Sequence, residues 1–510
     1  MSASKKKLQR KAEVDVEKVS EAEAKQAAYK KKARTYSIIA IVVVVLVAAL
    51  LVWNSGIFQK NATAATIGEE KVTVSELSYF YYNNYYRYMY SQFGISDSDI
   101  ADEEAGTTYR DLYLEQALAS AQNVYVLYNE ALANGYSEAD VKDNVEQEID
   151  SLKAAASSSG YGYKAFLKAN FGRYMTPSVY KDITTRYLLA QLYSADKESE
   201  VYDSFTAEEL DAYYAEHADD IDIFTYSYLY FTPETVETTD ADGNELSEDE
   251  ITALKEAAMA AAKAKAEATL ESYNSGVSIA DLIEAGEPST SADHTTAAGS
   301  SAISSTIRDE LLDLDVDAAT VVESEGYGYY VVIYHGHERS ELLSANVRHI
   351  LFSAETTTDA EDKVVAPTDE AWAAALADAE AALAEFKAGQ QTAEAFGALA
   401  NKYSDDEGSN TTGGLYEGVV SGDFVTEFND WMFGDVQPAV GETAIIRHEG
   451  DTSNSNSYWG YHVTYMESYG EAEWQVAARE ALTNEALTEW NEALNAANPA
   501  ELTSAAKNIG

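Results

Sequence analysis

The sequence has 510 residues, enough for about three domains, and its 46% hydrophobic and 11% aromatic content lets most of it fold around buried cores. A formal net charge of −52 argues against a nucleic-acid partner, which calls for a basic footprint. The absence of cysteine excludes disulfides, thiolate zinc sites, a cysteine nucleophile and a lipid-modified cysteine anchor.

The charge is uneven. Residues 1–35 hold 11 Lys/Arg and 5 Asp/Glu, and the other 475 carry all the remaining acidity. Residues 36–53 contain no charge. As a helix they span about 27 Å, close to a bilayer's hydrocarbon core. Lys30, Lys31, Lys32 and Arg34 abut their start, so the positive-inside rule puts 1–35 in the cytoplasm as a basic tail and the chain after Trp53 outside the cell membrane. A cleaved signal peptide would need small residues at its end, whereas Leu50–Phe58 is bulky. The expectation is therefore a single-pass signal anchor over 36–53.

Residues 54–221 read as helical. Thr66–Leu77 suggests a short hairpin entering a helix capped by Thr73 or Ser75, with Glu76 in its first turn. Further helices fall near 109–135, 138–155, 162–170 and 177–200. Thr206, followed by Ala207, Glu208 and Glu209, looks like an N-cap with an acidic first turn. The tyrosine run over 79–90 fits either a binding surface or, more commonly, a core face at helical spacing.

From Phe224 the pattern becomes strand-like and repeats. Phe224–Glu234 is similar to Ala345–Glu355, each followed by an acidic Thr/Asp-rich loop and an Ala-rich helix. The strands Tyr327–His335 and Trp459–Glu467 close the two copies. The expected architecture is α+β: a helical region, then α/β units over 222–340 and 341–470, then a helical segment over 471–510. Trp474 and Trp490 suggest that this last segment packs back on the helical region.

Five ordered motifs in the second copy resemble the parvulin-type peptidyl-prolyl isomerases. They are Val347–Phe352 (VRHILF), the helix into Tyr403-Ser404-Asp405-Asp406 and Gly413-Gly414-Leu415, the stretch Gly422–Phe433, the turn Val440–Glu442, and Gly460–Val463 (GYHV). The whole layout resembles membrane-anchored extracytoplasmic foldases of the PrsA and SurA type, with a helical chaperone domain before one or two parvulin domains. A transmembrane helix would here replace their lipid anchor. The resemblance implies that His349, His462 and Asp406 form the catalytic wall, that Leu415, Phe424 and Phe428 make the proline pocket, and that Tyr403 and Ser404, counted with the substrate-binding residues, hold the Asp loop in place. It implies no cofactor or metal, and as clients unfolded or partly folded secreted proteins with Xaa-Pro bonds. A homodimer is left open.

The chemistry fits those residue types. Amide rotation at proline faces a barrier near 20 kcal/mol, and an isomerase lowers it by binding the twisted amide better than either planar form. That calls for an apolar pocket beside a polar wall whose histidine tautomers are fixed. Departures are the missing Asp after Gly413-Gly414, Trp459 at a spot usually small and polar, and a long 447–458 loop. The first copy has Tyr228 and Tyr330 where the histidines would align, so it reads as degenerate. The mostly acidic loop 355–370 predicts no preference for phosphorylated substrates. His335 and His337 have metal-ligand spacing but no evident third ligand, which favours an exposed loop. The alternatives are a non-catalytic holdase using parvulin folds as scaffold and, more weakly, a surface adhesion protein.

Overall fold

The computed structural model describes residues 30–32, 34, 37–47, 56–86, 90, 92–103, 105–239, 244–298, 303–359, 363–452, 454 and 457–509. The expected tail 1–35 lies almost wholly outside these residues. So do Tyr36 and 48–53 of the expected membrane anchor. Residues 37–47 are helical with every side chain exposed. No described helix is long and apolar enough to cross a membrane. The chain divides into two compact units, one built from residues up to Val201 together with Ala486–Gly510, the other from Tyr202–Glu485.

The first unit begins with the hairpin β1 (Thr63–Ile67) and β2 (Glu70–Thr73) and continues into α1 (Val74–Phe80). Thr73 caps α1 in a capping box, its side chain accepting from Glu76 N while Glu76 accepts from Thr73 N. Then follow α2 (Tyr109–Ala133), α3 (Lys142–Ser158), α4 (Tyr163–Phe171) and α5 (Pro177–Tyr202). Leu77, Phe80, Tyr81, Tyr113, Tyr125 and Leu167 fill the core. Tyr79 stacks on Phe171 at 5.3 Å and Tyr81 is wholly buried, so these members of the tyrosine run belong to the core. The side chains of Tyr85, Tyr86 and Tyr88 are outside the description. The C-terminal residues close the unit. Strand Ala500–Leu502 pairs antiparallel with β1, Ala506 and Ile509 enter the same core, and Trp490 packs on Tyr193.

The second unit holds two sheets of the same topology. The first runs through α6 (Ala207–Ile221), β3 (Ile223–Phe231), α7 (Glu248–Asn274), α8 (Ile279–Gly286), β4 (Thr290–Ala298), α9 (Ser305–Leu312), β5 (Ala319–Ser324) and β6 (Gly328–Glu338). Its strand order is β4-β3-β6-β5. The second comprises β7 (Leu343–Ser353), α10 (Asp369–Ala388), α11 (Ala393–Tyr403), β8 (Leu415–Val419), α12 (Thr426–Phe433), β9 (Thr443–His448) and β10 (Gly460–Ala472), in the order β8-β7-β10-β9. Every pairing within these two sheets is antiparallel.

Strand alternation sorts the second sheet into two faces. Ile350 and Phe352 of β7, with Trp459, Tyr461, Val463 and Tyr465, pack on α10 and α11. Ala345 and Val347, with Met466, pack on Phe428 and Met432 of α12. His349 and His462 alternate with the first group, so both face the α12 side.

Candidate active site

His349 lies on β7 and His462 on its neighbour β10, two rungs apart on the ladder and so on one face: His349 pairs with Thr464 and His462 with Leu351. The rings stack at 5.2 Å with a 19° tilt, and their Nδ1 atoms are 3.0 Å apart. Both residues are buried, at 3% and 2% exposure. His349 Nε2 lies 2.8 Å from Asp406 Oδ2. The same oxygen accepts from Tyr416 OH at 3.0 Å and from Ser409 Oγ. At the other end, Tyr458 OH is 3.0 Å from His462 Nε2.

The loop that delivers Asp406 is tied to the sheet. Ser404 Oγ accepts from the amides of Leu351 and Asp406, and Asp405 N donates to Leu351 O. The Gly413-Gly414 pair is there because the backbone comes too close for side chains. Gly414 has φ +70°, and a Cβ on it would collide with His349 O. Gly413, at φ +74°, abuts Gly397 and the Arg348 guanidinium.

The proton order follows from the donors. The Asp406 carboxyl is held well below the usual carboxylate range, first by the His349 hydrogen bond and also by Ser409 and Tyr416, against the opposing effect of burial. It is therefore an acceptor, and His349 carries its proton on Nε2. His349 Nδ1 is then free to accept from His462 Nδ1–H. His462 is pushed down to about 3 by burial and by the neighbouring His349 and His448, so it is neutral and leaves Nε2 as acceptor. Burial and nearby negative charge push the Tyr458 phenol up to about 12, so it donates. The result is one hydrogen-bonded chain, Tyr458 to His462 to His349 to Asp406, in which His462 is neutral.

An aromatic wall closes the other side. Phe428 is fully buried, 5.3 Å from the His462 ring and 5.8 Å from His349. Phe424 packs on Phe428 at 4.8 Å and on Tyr416 at 5.0 Å.

Two sequence expectations are corrected. Leu415 pairs with Arg348, and directly opposed residues share a face, so Leu415 is on the α10/α11 side, away from the histidines. Tyr416, paired with Val347, takes its place beside Phe424. Tyr403 ends α11 and donates to Glu385, so it touches neither the Asp loop's carboxylate nor the pocket. Ser404 does hold the Asp loop, through the backbone amides of Leu351 and Asp406. Tyr416, Ser409 and Tyr458 went unrecognised in the sequence. Parity along β7 and β8 was the available signal for Tyr416, whereas nothing local marked Ser409 or Tyr458. Trp459, a departure from the motif, is in the α10/α11 core and does not reach the site.

Two family descriptions match this chain. Residues 330–449 match the PPIC-type PPIASE domain, a span that includes His349 and Asp406 and ends before His462. Residues 28–193 match the SurA-like N-terminal domain. The chain carries a PPIC-type parvulin domain behind a SurA-like N-terminal domain. Among solved structures, the PrsA peptidylprolyl isomerase of Bacillus anthracis is 14% identical over 43% of this chain and 79% of its own, with a TM-score of 0.22. PrsA of Bacillus cereus is 12% identical over 78% and 90%, with a TM-score of 0.17. A Campylobacter jejuni structure, described with PEB4 and the periplasmic protein Cj1289 as SurA-like chaperones, is 9% identical over 55% and 82%, with a TM-score of 0.15. Superpositions this poor carry no argument about the site. No curated protein matches the chain.

The other parvulin-like sheet offers a direct contrast. Tyr228 pairs with Val332, and Tyr330 with Tyr230, so Tyr228 and Tyr330 stand in the same two-rung diagonal as His349 and His462. Their rings meet at 5.9 Å, and no histidine pair occupies that position. His335 and His337 lie on β6 rather than in an exposed loop. His335 also meets the third group that its sequence neighbours lacked: donor atoms of Asp293, His294 and His335 lie within 4.8 Å of one another. The two imidazoles are parallel at 4.2 Å, which aims their lone pairs side by side instead of at one point. Hydrogen bonds to Ser227 at 2.7 Å and Asp293 at 2.7 Å account for the arrangement.

Proposed function

We propose that the second parvulin-like domain catalyses cis–trans isomerisation of Xaa-Pro bonds in unfolded or partly folded proteins delivered across a membrane, and that the helical unit holds those clients. The observation that carries this reading is the directional chain from Tyr458 through both histidines to Asp406, set against Phe424, Phe428 and Tyr416. The aromatic wall suits a proline ring. The hydrogen-bonded histidine pair offers a polar surface held in place before substrate arrives, so a rotating carbonyl meets it without reorganisation. No bond to the enzyme is needed. Client holding is supported by the SurA-like N-terminal match, and an extracytoplasmic location by the uncharged apolar stretch 36–53 behind a basic segment. The domain over 222–340, with Tyr228 and Tyr330 at the histidine positions, is read as catalytically silent.

The test is prolyl exchange measured by NMR on an Ala-Pro peptide, using residues 62–510 and a folded His349→Ala/His462→Ala double variant. Acceleration that the variant loses supports the isomerase reading. Absence of acceleration by the unsubstituted protein leaves the holdase reading in its place.

A further inference from the structure

The segment that supplies most of the candidate substrate wall, residues 404–446, contains nine Asp/Glu and no Lys, Arg or His. Four of these carboxylates are next in the chain to residues of the site. Asp406, Tyr416, Phe424 and Phe428 each have an acidic residue as immediate chain neighbour: Glu407, Glu417, Asp423 and Glu427. Glu407, Glu417 and Asp423 are exposed and enter no ion pair among the described residues. Glu427 is held by His448 at 3.1 Å.

The nearby cations are occupied elsewhere. Arg348 pairs with Glu467 on the opposite face of the sheet. Arg447 pairs with Glu449 at 2.6 Å while stacking on Trp372. Lys402 pairs with Glu385 at 3.5 Å. The Asp406 carboxylate adds a negative charge at the floor of the site to those at its rim.

We infer that this site selects Xaa-Pro segments flanked by lysine or arginine and disfavours those flanked by acidic residues. The inference rests on the isomerase reading and adds its substrate class. Several like charges around one cleft focus the field there and attract a cationic peptide before any close contact forms. Each contributes modestly in water, and salt screens them.

The experiment compares two peptides that differ only in their flanks, Lys-Ala-Pro-Lys and Glu-Ala-Pro-Glu, by exchange NMR with the full chain. At about 20 mM salt, where the Debye length is roughly 20 Å, the lysine peptide should show a kcat/KM about 5–20-fold higher. At about 500 mM salt, with screening at roughly 4 Å, the ratio should fall to about two or less. The triple variant Glu407→Gln/Glu417→Gln/Asp423→Asn should bring the low-salt ratio toward one. Equal turnover at low salt, or a gap that persists at high salt or in the triple variant, overturns the inference while leaving the isomerase reading standing. No turnover of either peptide overturns both.

Discussion

The Nδ1 atoms of His349 and His462 face each other at 3.0 Å, so one ring must donate and the other accept. Nothing in the pair itself decides which. Asp406 decides it from outside, by taking the His349 proton on Nε2 at 2.8 Å, and Tyr458 agrees with it from the other end. The wall is thus a four-residue unit whose polarity is set at its two ends.

Asp406→Ala should therefore do more than remove one carboxylate. Without it, His349 can place its proton on either nitrogen and the chain loses its direction. Hydrogen bonds to charged groups contribute about 1.5–3 kcal/mol, so kcat/KM for an Ala-Pro peptide should drop roughly 10–100-fold. Exchange NMR on a variant with an unchanged circular dichroism spectrum measures this. A drop smaller than about threefold would show that the histidines hold their order unaided.

Acid should destabilise the second unit through His462. An unfolded histidine binds its proton near 6.5, whereas in the fold His462 is pushed down to about 3. Between those values the unfolded chain holds the extra proton, so stability is complete above about 6.5 and is lost as pH falls toward 3. The Asp406 shift adds to the loss once pH falls below the ordinary carboxylate range. From pH 7 to pH 5 the His462 contribution is about 2 kcal/mol. Urea unfolding of the wild type and of His462→Gln at both pH values isolates it, since the other acidic groups are common to both. Parallel pH dependences would mean that His462 is protonated in the fold.

Leu415 and Tyr416 should separate cleanly on substitution. Tyr416→Ala removes a ring packed on Phe424 and a donor to Asp406, so it should raise KM and lower kcat together. Leu415→Ala, on the other face of the sheet, should cost stability and leave the kinetics of the folded enzyme within about twofold. Steady-state kinetics beside thermal melts distinguishes the two. A Leu415→Ala enzyme with raised KM and unchanged melting would restore Leu415 to the pocket.

That pair also marks what the sequence could and could not tell. The histidines, Asp406 and the two phenylalanines were legible because each sits in a motif whose order is preserved, and the capping box at Thr73 and Glu76 was legible because it is local. Leu415 was misplaced because a side chain's face in a strand depends on a register of one residue. The motif's usual leucine position, counted from Gly413-Gly414, falls on Tyr416. Tyr458 comes in on a loop of unusual length, and no local pattern says where such a loop returns. The third group beside His335 is supplied by β4, some 40 residues earlier in the chain, and spacing rules look only along the chain.

The helical unit depends on residues far from it in sequence, and one of them can be tested alone. Ile509 is 2% exposed within the core that also holds Leu77, Phe80 and Tyr113. Its carbonyl accepts from Arg110 on α2, and the strand Ala500–Leu502 completes a sheet that would otherwise be a two-stranded hairpin. Such a hairpin is marginal by itself. Ile509→Ala should then cost about 2–5 kcal/mol, and the loss should be read in this unit. Amide hydrogen exchange over β1, β2 and α2 should speed up, with β7 and β10 unchanged. A uniform change across both units, or none, would mean that the C-terminal residues do not complete this core.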